Sequence, residues 1–531
     1  MDGNETNKLI RGALLLMLAG LVSKILSAGY RIPLQNMTGD IGFYVYQQVY
    51  PILGMVMVLA LYGFPSAISK MAVELKAAGK GLSFQSFYLP VFLLLVGING
   101  ALFLFLFINA SSLAVWVGDV NLTSTYRLAA YAFLLVPFTA LLRGAFQGNY
   151  YMKPTAYSQI GEQFVRVFII IFAAVFVSLQ GLDIYKIGQA AALASVIGGV
   201  TAIFILGFSF IKAMPVTRGK WQIPWNYYVQ TLLILGVVAA LNHMIMLVIQ
   251  FADAFTLIPG LMDYGLTKFD AMEAKGVFDR GQPLIQLGTV IGSSFALALI
   301  PTISKERLEK DPKSFHQYIR GALLFSFYLA VGATIGLIAI FPDANVLLFQ
   351  DARGTGNLQI LVLSILLCSL AITASSILQG LGHVKRTAGF ILIALFVKWI
   401  GNQLVVPLWG ITGSAITTVL SLVILCLVVL LELKRKLPAL NLFGNINWWA
   451  LVKATVTMII YIQLVGYFFP AALIPSRIVL LLYVLFIAIT GGVIFIFILL
   501  RGRAFTVQEL KMLPFSPLFI RIYKGRKTNG S

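Results

Sequence analysis

The residues able to do chemistry in this chain are ionisable side chains set inside apolar stretches. In VSKILSAGYRIPL, residues 22–34, Lys24, Ser27 and Arg31 are spaced by three and four, so a helix places them on one face. Two cations on one face, inside an apolar segment, suit an anion: a phosphate or carboxylate takes charge-assisted hydrogen bonds from them. Lys24 lies about 22 Å along the axis from Leu9, in the outer half of a bilayer. The alternative for both is snorkelling, with the stem in lipid and the charge at the headgroups, and it weighs more on Arg31, nearer the interface. In SQIGEQFVRVF, Glu162 and Arg166 form an i, i+4 pair with the acid on the N-terminal side. That pair reads as a structural ion pair near mid-membrane, or as a site coupling a proton or cation to transport. Asn242, His243, Gln250 and Asp253 fall on one apolar segment, Asp279 and Arg280 open another in FDRGQP, and Lys398 lies within a third. Asp253 and Arg280 suit a gate across an external mouth, or solvated charges at loop ends. Each such charge costs roughly 2.5–3.5 kcal/mol at the bilayer centre, so it needs a cavity or a partner.

The elements that must carry these residues are membrane helices. The 531 residues are 59% hydrophobic and only 11% charged, with a mean hydropathy of +0.91. Apolar runs long enough to cross a hydrocarbon core of about 30 Å recur throughout, without the alternation of barrel strands. The expected fold is all-α and polytopic with about fourteen spans: 9–32, 43–72, 84–109, 122–148, 155–180, 185–212, 226–257, 281–304, 315–341, 346–380, 386–407, 410–434, 448–470 and 475–500. The connection from Pro259 to Gln282 is longer and has room for a short interfacial helix. The net charge of +20 would point to nucleic acid in a soluble protein. Here the basic clusters recur at every second loop (Lys8/Arg11, Lys70/Lys76/Lys80, Arg143/Lys153, Lys212/Arg218/Lys220, Lys305/Arg307/Lys310/Lys313, Lys385/Arg386, Lys434/Arg435/Lys436 and the tail over Arg501–Lys527), while the intervening loops carry Asp40, Asp119, Asp183, Asp343 and Asp351. The positive-inside rule then puts both termini in the cytoplasm, and no nucleic acid is expected.

An internal repeat organises the chain. Gln147-Gly148, Lys153 and Thr155-Ala156 match Gln379-Gly380, Lys385 and Thr387-Ala388 at an offset of 232, and Ile68-Ser69-Lys70 matches Ile303-Ser304-Lys305 at 235. An offset of six helices implies two parallel six-helix lobes, residues 1–220 and 221–440, then two further helices over 441–503 and a basic cytoplasmic tail over 504–531. Duplicated lobes are a common build of alternating-access carriers. The first offset carries Arg166 onto Lys398, so the cation recurs in the second lobe, whereas Glu162 maps onto Ala394. A central pair of cations offered to an anionic substrate follows as one reading. No nucleotide-binding loop, HExxH or GxSxG is present, so no enzyme chemistry, metal or cofactor is expected. Cys368 and Cys426 stand alone in apolar segments and imply no disulfide framework.

The stretch Arg143-Gly144-Ala145-Phe146-Gln147-Gly148, followed by Met152-Lys153-Pro154-Thr155-Ala156, Ser158-Gln159, Glu162-Gln163 and Arg166-Val167, resembles the polysaccharide-biosynthesis flippases, a family with stage V sporulation protein B and MurJ-type lipid II flippase branches. Leu9-Ile10-Arg11-Gly12, Ser23-Lys24-Ile25-Leu26, Gly63-Phe64-Pro65 and Ile68-Ser69-Lys70 fit the same family, so the resemblance spans essentially the whole chain. It implies the exporter superfamily that also holds multidrug extruders, and undecaprenyl-linked sugar diphosphates turned from inner to outer leaflet of a bacterial cytoplasmic membrane. It also implies substrate contacts at Lys24 and Arg280 and, with its spacing shifted by about one residue, at Arg31. Membrane lipid and wall-synthesis enzymes are the implied partners. Two other functions compete: a multidrug or metabolite antiporter, which wants acids for cationic drugs, and a non-transporting scaffold for wall synthesis, which would tolerate loss of the buried cations.

Overall fold

The computed structural model describes residues 3–213, 221–299, 311–440, 446–511 and 516–524. The basic clusters at 218–220 and 305–310, one arm of the second repeat and the end of the tail lie outside them. Among the described residues, eleven runs are long and apolar enough to cross a membrane. Two of these, Leu18–Ala77 with 60 residues and Val384–Lys436 with 53, are each long enough to cross twice. The protein is a multi-pass, all-helical membrane protein.

Both long runs turn at a glycine. The stretch 33–42, expected as a loop, is helical: α1 (Gly3–Gly29) passes through Tyr30 into α2 (Arg31–Val58), and the break comes at Gly39, with φ 67° and ψ −175°. That backbone conformation is essentially reserved for glycine. No other atom lies within 4 Å of where a Cβ would stand, so Gly39→Ala tests conformation alone. It should cost about 1–3 kcal/mol, read as a lower melting temperature of the purified protein. Gly410, at φ 56° and ψ −140°, breaks the second run in the same way.

The chain packs as two compact units. The first holds residues 1–283 and 384–417, and with them every candidate residue named above. Within it α3 (Lys153–Gln180) packs on α1 and on Lys186–Ala213. The connection 259–282 does carry a short helix. It holds the end of α4 (Ile245–Asp263) and a 12-residue helix, α5 (Lys268–Asp279), capped by Thr267, whose hydroxyl accepts from the Asp270 amide at 3.2 Å. α5 lies against α2 with Ala271, Met272, Lys275 and Asp279 buried. Gly276 makes the approach possible: a Cβ there would stand 2.1 Å from the backbone oxygen of Asp40. Gly276→Ala must therefore push α5 off α2, at about 1–3 kcal/mol for overpacking, with a correspondingly lower melting temperature.

The second unit holds residues 284–383 and 418–531. Its core joins the long helix Pro312–Phe349 to Trp448–Phe468 and Arg477–Arg501 through Leu324, Phe325, Tyr328, Met458, Phe495 and Leu499. Below them Thr506 and Glu509 form a reciprocal capping box, and the Glu509 carboxylate also meets Arg320 at 3.2 Å.

Candidate functional site

The first unit buries an unusual number of charges, and all but two of its deeply set cations are held by acids. Arg280, 1% exposed, grips Asp40 with two parallel bonds, Nε to Oδ1 at 2.8 Å and Nη2 to Oδ2 at 2.6 Å, and Gln35 donates to the same Oδ1 at 2.9 Å. Lys275 and Asp279, one turn apart on α5, pair at 2.7 Å beneath Tyr44. Lys398 and Asp253 pair at 2.7 Å. Glu162 serves two arginines, Arg166 at 2.6 Å and Arg143 at 2.8 Å.

Arg143 shows how a buried guanidinium is satisfied. Its Nε donates to Ser158 Oγ at 3.1 Å, its Nη1 to the Ala60 carbonyl at 3.2 Å and its Nη2 to Glu162. Ala60 belongs to a π-helical turn, Leu59–Gly63. Such a turn interrupts the regular backbone ladder, the setting in which a side chain can reach a main-chain carbonyl.

Arg31 is built the opposite way. It is fully buried, yet among the described residues its Nη2 makes only a long hydrogen bond to Ser27 Oγ at 3.3 Å, with the Tyr50 side chain also in polar contact, and Nε and Nη1 make no hydrogen bond of good geometry. Its guanidinium carbon lies 3.9 Å from the centre of the Tyr50 ring. Asp279, an acid within its electrostatic reach, is already taken by Lys275. A buried donor left unmade costs about 1–3 kcal/mol, more when charged, so Arg31 is a guanidinium with hydrogen-bonding capacity to spare. Beside it lies a narrow cleft of about 10 Å³, room for a single water, lined by Ser27, Tyr30, Tyr46, Tyr50, Gln163 and Arg166 together with apolar side chains such as Leu53 and Ile170. Tyr30 and Tyr46 join hydroxyls across one wall. Three phenols and one amide beside a guanidinium form a polar wall able to exchange hydrogen bonds with phosphate oxygens or hydroxyls. Lys24, half-buried two turns before Arg31, has no acid partner among the described residues and lies within electrostatic reach of His243, which stacks on Tyr62.

The sequence expectations fare unevenly against this geometry. The common face of Ser27 and Arg31 and the Glu162–Arg166 pair are present as drawn. Arg31 is buried within the protein, and the helix runs on past it. Asp253 and Arg280 do not pair with each other. Asp253 takes Lys398 and Arg280 takes Asp40, and the Arg280 guanidinium already holds a carboxylate. Arg166 and Lys398 each have their own acid rather than forming a cation pair. Arg143 and Asp40, read as loop charges, are buried partners of Glu162 and Arg280. Lys275 and Asp279 were legible as an i, i+4 pair, as was Asn402 one turn after Lys398. Tyr50 carried no such signal.

Comparison with known proteins places this geometry among relatives. The profile of the family described as "Polysaccharide biosynthesis protein" matches residues 9–307. The Bacillus subtilis (strain 168) membrane protein YabM, itself described as uncharacterized, is 38% identical over 98% of this chain and 97% of its own. The lipid II flippase MurJ of the same strain is 24% identical over 87% of this chain and 88% of its own. Among solved structures, a lipid II flippase MurJ in an inward closed conformation superposes with a TM-score of 0.66 over 92% of this chain and 99% of that one, at 13% identity, a likeness of fold.

Proposed function

The chain belongs to the polysaccharide biosynthesis protein family, and on that premise we propose that it is a flippase that turns lipid-linked sugar diphosphates across the bacterial cytoplasmic membrane. The observation that carries this reading is Arg31: a fully buried guanidinium with two donor groups unpartnered, over a tyrosine ring, in a unit whose other fully buried cations are neutralised. A diphosphate supplies what it lacks, two negatively charged acceptor groups in one head. Lys24 extends the positive face toward the half-exposed side and draws the head group in. The sugar meets the phenols and amides of the cleft. Arg280 acts through Asp40 and α5 as a positioning residue rather than as a ligand.

The undecaprenyl chain stays in lipid while the lobes of 1–220 and 221–440 rock between inward- and outward-open states, with 441–503 alongside and both termini in the cytoplasm. A potential negative inside drives an anion outward at about 2.3 kcal/mol per charge per 100 mV. The supply of substrate by wall or surface-polymer enzymes makes these the natural partners.

The test is reconstitution in liposomes carrying fluorescent lipids, with outer-leaflet quenching as readout. Lipid-linked sugar diphosphates should be turned over and lipid-linked monophosphates and zwitterionic phospholipids should not. Transport of none of the diphosphates overturns the proposal. Equal movement of all three classes would make the protein a scramblase.

A further inference from the structure

Lys398 sits where an inorganic cation could. Its Nζ has five oxygens around it: Asp253 Oδ1 at 2.7 Å, Ser414 O and Oγ each at 2.9 Å, Asn402 Oδ1 at 3.0 Å and Thr417 Oγ1 at 3.2 Å. An ammonium has three N–H groups to give, so the shell exceeds what its donors can use, whereas a spherical ion has no such limit. The set is oxygen-only, one carboxylate with an amide, a main-chain carbonyl and two hydroxyls, the donor type of hard cations. Mg²⁺ wants an octahedron at about 2.0–2.1 Å and Ca²⁺ takes six to eight oxygens at about 2.3–2.6 Å. The wider shell and single carboxylate here suit a larger, singly charged ion.

The cage is also braced without the ammonium. Asn402 Nδ2 donates to Asp253 Oδ1 at 2.9 Å and to Thr256 Oγ1 at 2.8 Å. Ser414 Oγ donates to Asp253 Oδ1 at 2.9 Å, and Thr417 Oγ1 to Asn402 Oδ1 at 2.6 Å. The break at Gly410 folds 414–417 back beside 398–402, and Gly413 permits the approach, since a Cβ there would stand 2.7 Å from the Val405 carbonyl. Asp253 Oδ2, in a residue 2% exposed, is buried without a partner, a spare acceptor on the same carboxylate. The charged neighbours within electrostatic reach, Lys275 and Asp279, neutralise each other.

We propose that this is a monovalent-cation site whose resident cation is the protein's own Lys398 ammonium, and that the cage binds Na⁺ or K⁺ once that side chain is removed. The native protein then needs no soluble ion at this position, because the counter-charge to Asp253 is carried on a tether.

The test uses the purified full-length chain in detergent or nanodiscs, melted at equal ionic strength in N-methyl-D-glucamine, sodium, potassium or methylammonium chloride, so the readout is independent of the transported substrate. The wild type should melt alike in all four. Lys398→Ala should melt lower in N-methyl-D-glucamine and recover by about 5 °C, saturably, in at least one of the three small cations. Lys398→Met, which fills the space without a charge, and the double variant Lys398→Ala/Asp253→Asn should show no recovery. The proposal is overturned by a Lys398→Ala protein indifferent to all the cations, by a double variant that keeps the response, or by a Lys398→Ala protein that cannot be purified in any of the salts while Lys398→Met can.

Discussion

Arg31→Ala should remove translocation while leaving a normally inserted, normally melting protein. The two halves of that expectation have separate causes. Losing a buried charged contact to an anionic ligand costs about 2–5 kcal/mol, roughly 30- to 4,000-fold in affinity, and Arg31 has two donor groups without a hydrogen-bond partner among the described residues. Removing it orphans no carboxylate, because no acid depends on it, and relieves unmade donors, so the fold should tolerate the change or gain from it. Arg31→Lys keeps the charge but not the fork and should recover only part of the activity. Arg280→Ala should behave differently: the buried Asp40 carboxylate would lose its two charge-assisted bonds, so loss of transport should come together with loss of stability. Flipping rates in liposomes, set beside melting temperatures of the same preparations, separate the two. Undiminished flipping by Arg31→Ala would sink its role as the diphosphate contact.

Glu162→Gln should be among the most destabilising single substitutions in the first unit. One carboxylate holds two arginines, Arg143 fully buried and Arg166 nearly so. Neutralising it at constant shape leaves both charges uncompensated, and breaking a buried ion pair from one side costs about 3–5 kcal/mol. The expected result is a large fall in melting temperature and in yield from the membrane. A Glu162→Gln protein of wild-type stability whose transport had lost its dependence on a proton gradient would instead make Glu162 a coupling residue. The same experiment thus decides between the two readings its i, i+4 spacing allowed.

Much of the architecture was legible because it rests on local quantities. Hydropathy over twenty residues marks a span, and spacing along one helix predicts Glu162 with Arg166 or Ser27 with Arg31. What was illegible depends on residues far apart in sequence. Asp40 looks like a loop acid because its neighbours Asn36, Thr38 and Gly39 are polar or small, and nothing local says that Arg280 will reach it. Arg143 looks cytoplasmic because it precedes Lys153 in a basic turn, and only the π turn at Leu59–Gly63 and the carboxylate of Glu162 draw it inward. Lys398 was recognisable as a misplaced cation, but its acid comes from α4. Residues that must be neutralised are visible in a sequence; the identity of the neutralising partner is a tertiary fact.

The pairing of Asp40 with Arg280 has a consequence for how the chain is made. Partners 240 residues apart are not synthesised together: at about 5–20 residues per second a ribosome that has just added Asp40 needs roughly 12–48 s more to reach Arg280. Throughout that interval Asp40 is without the arginine that grips it in the folded protein, and burying the carboxylate before Arg280 arrives would cost several kcal/mol. The nascent chain must therefore hold that carboxylate in water or within the insertion machinery. The first helices should then reach their final packing only after α5 has been made, an order that crosslinking of stalled nascent chains would check.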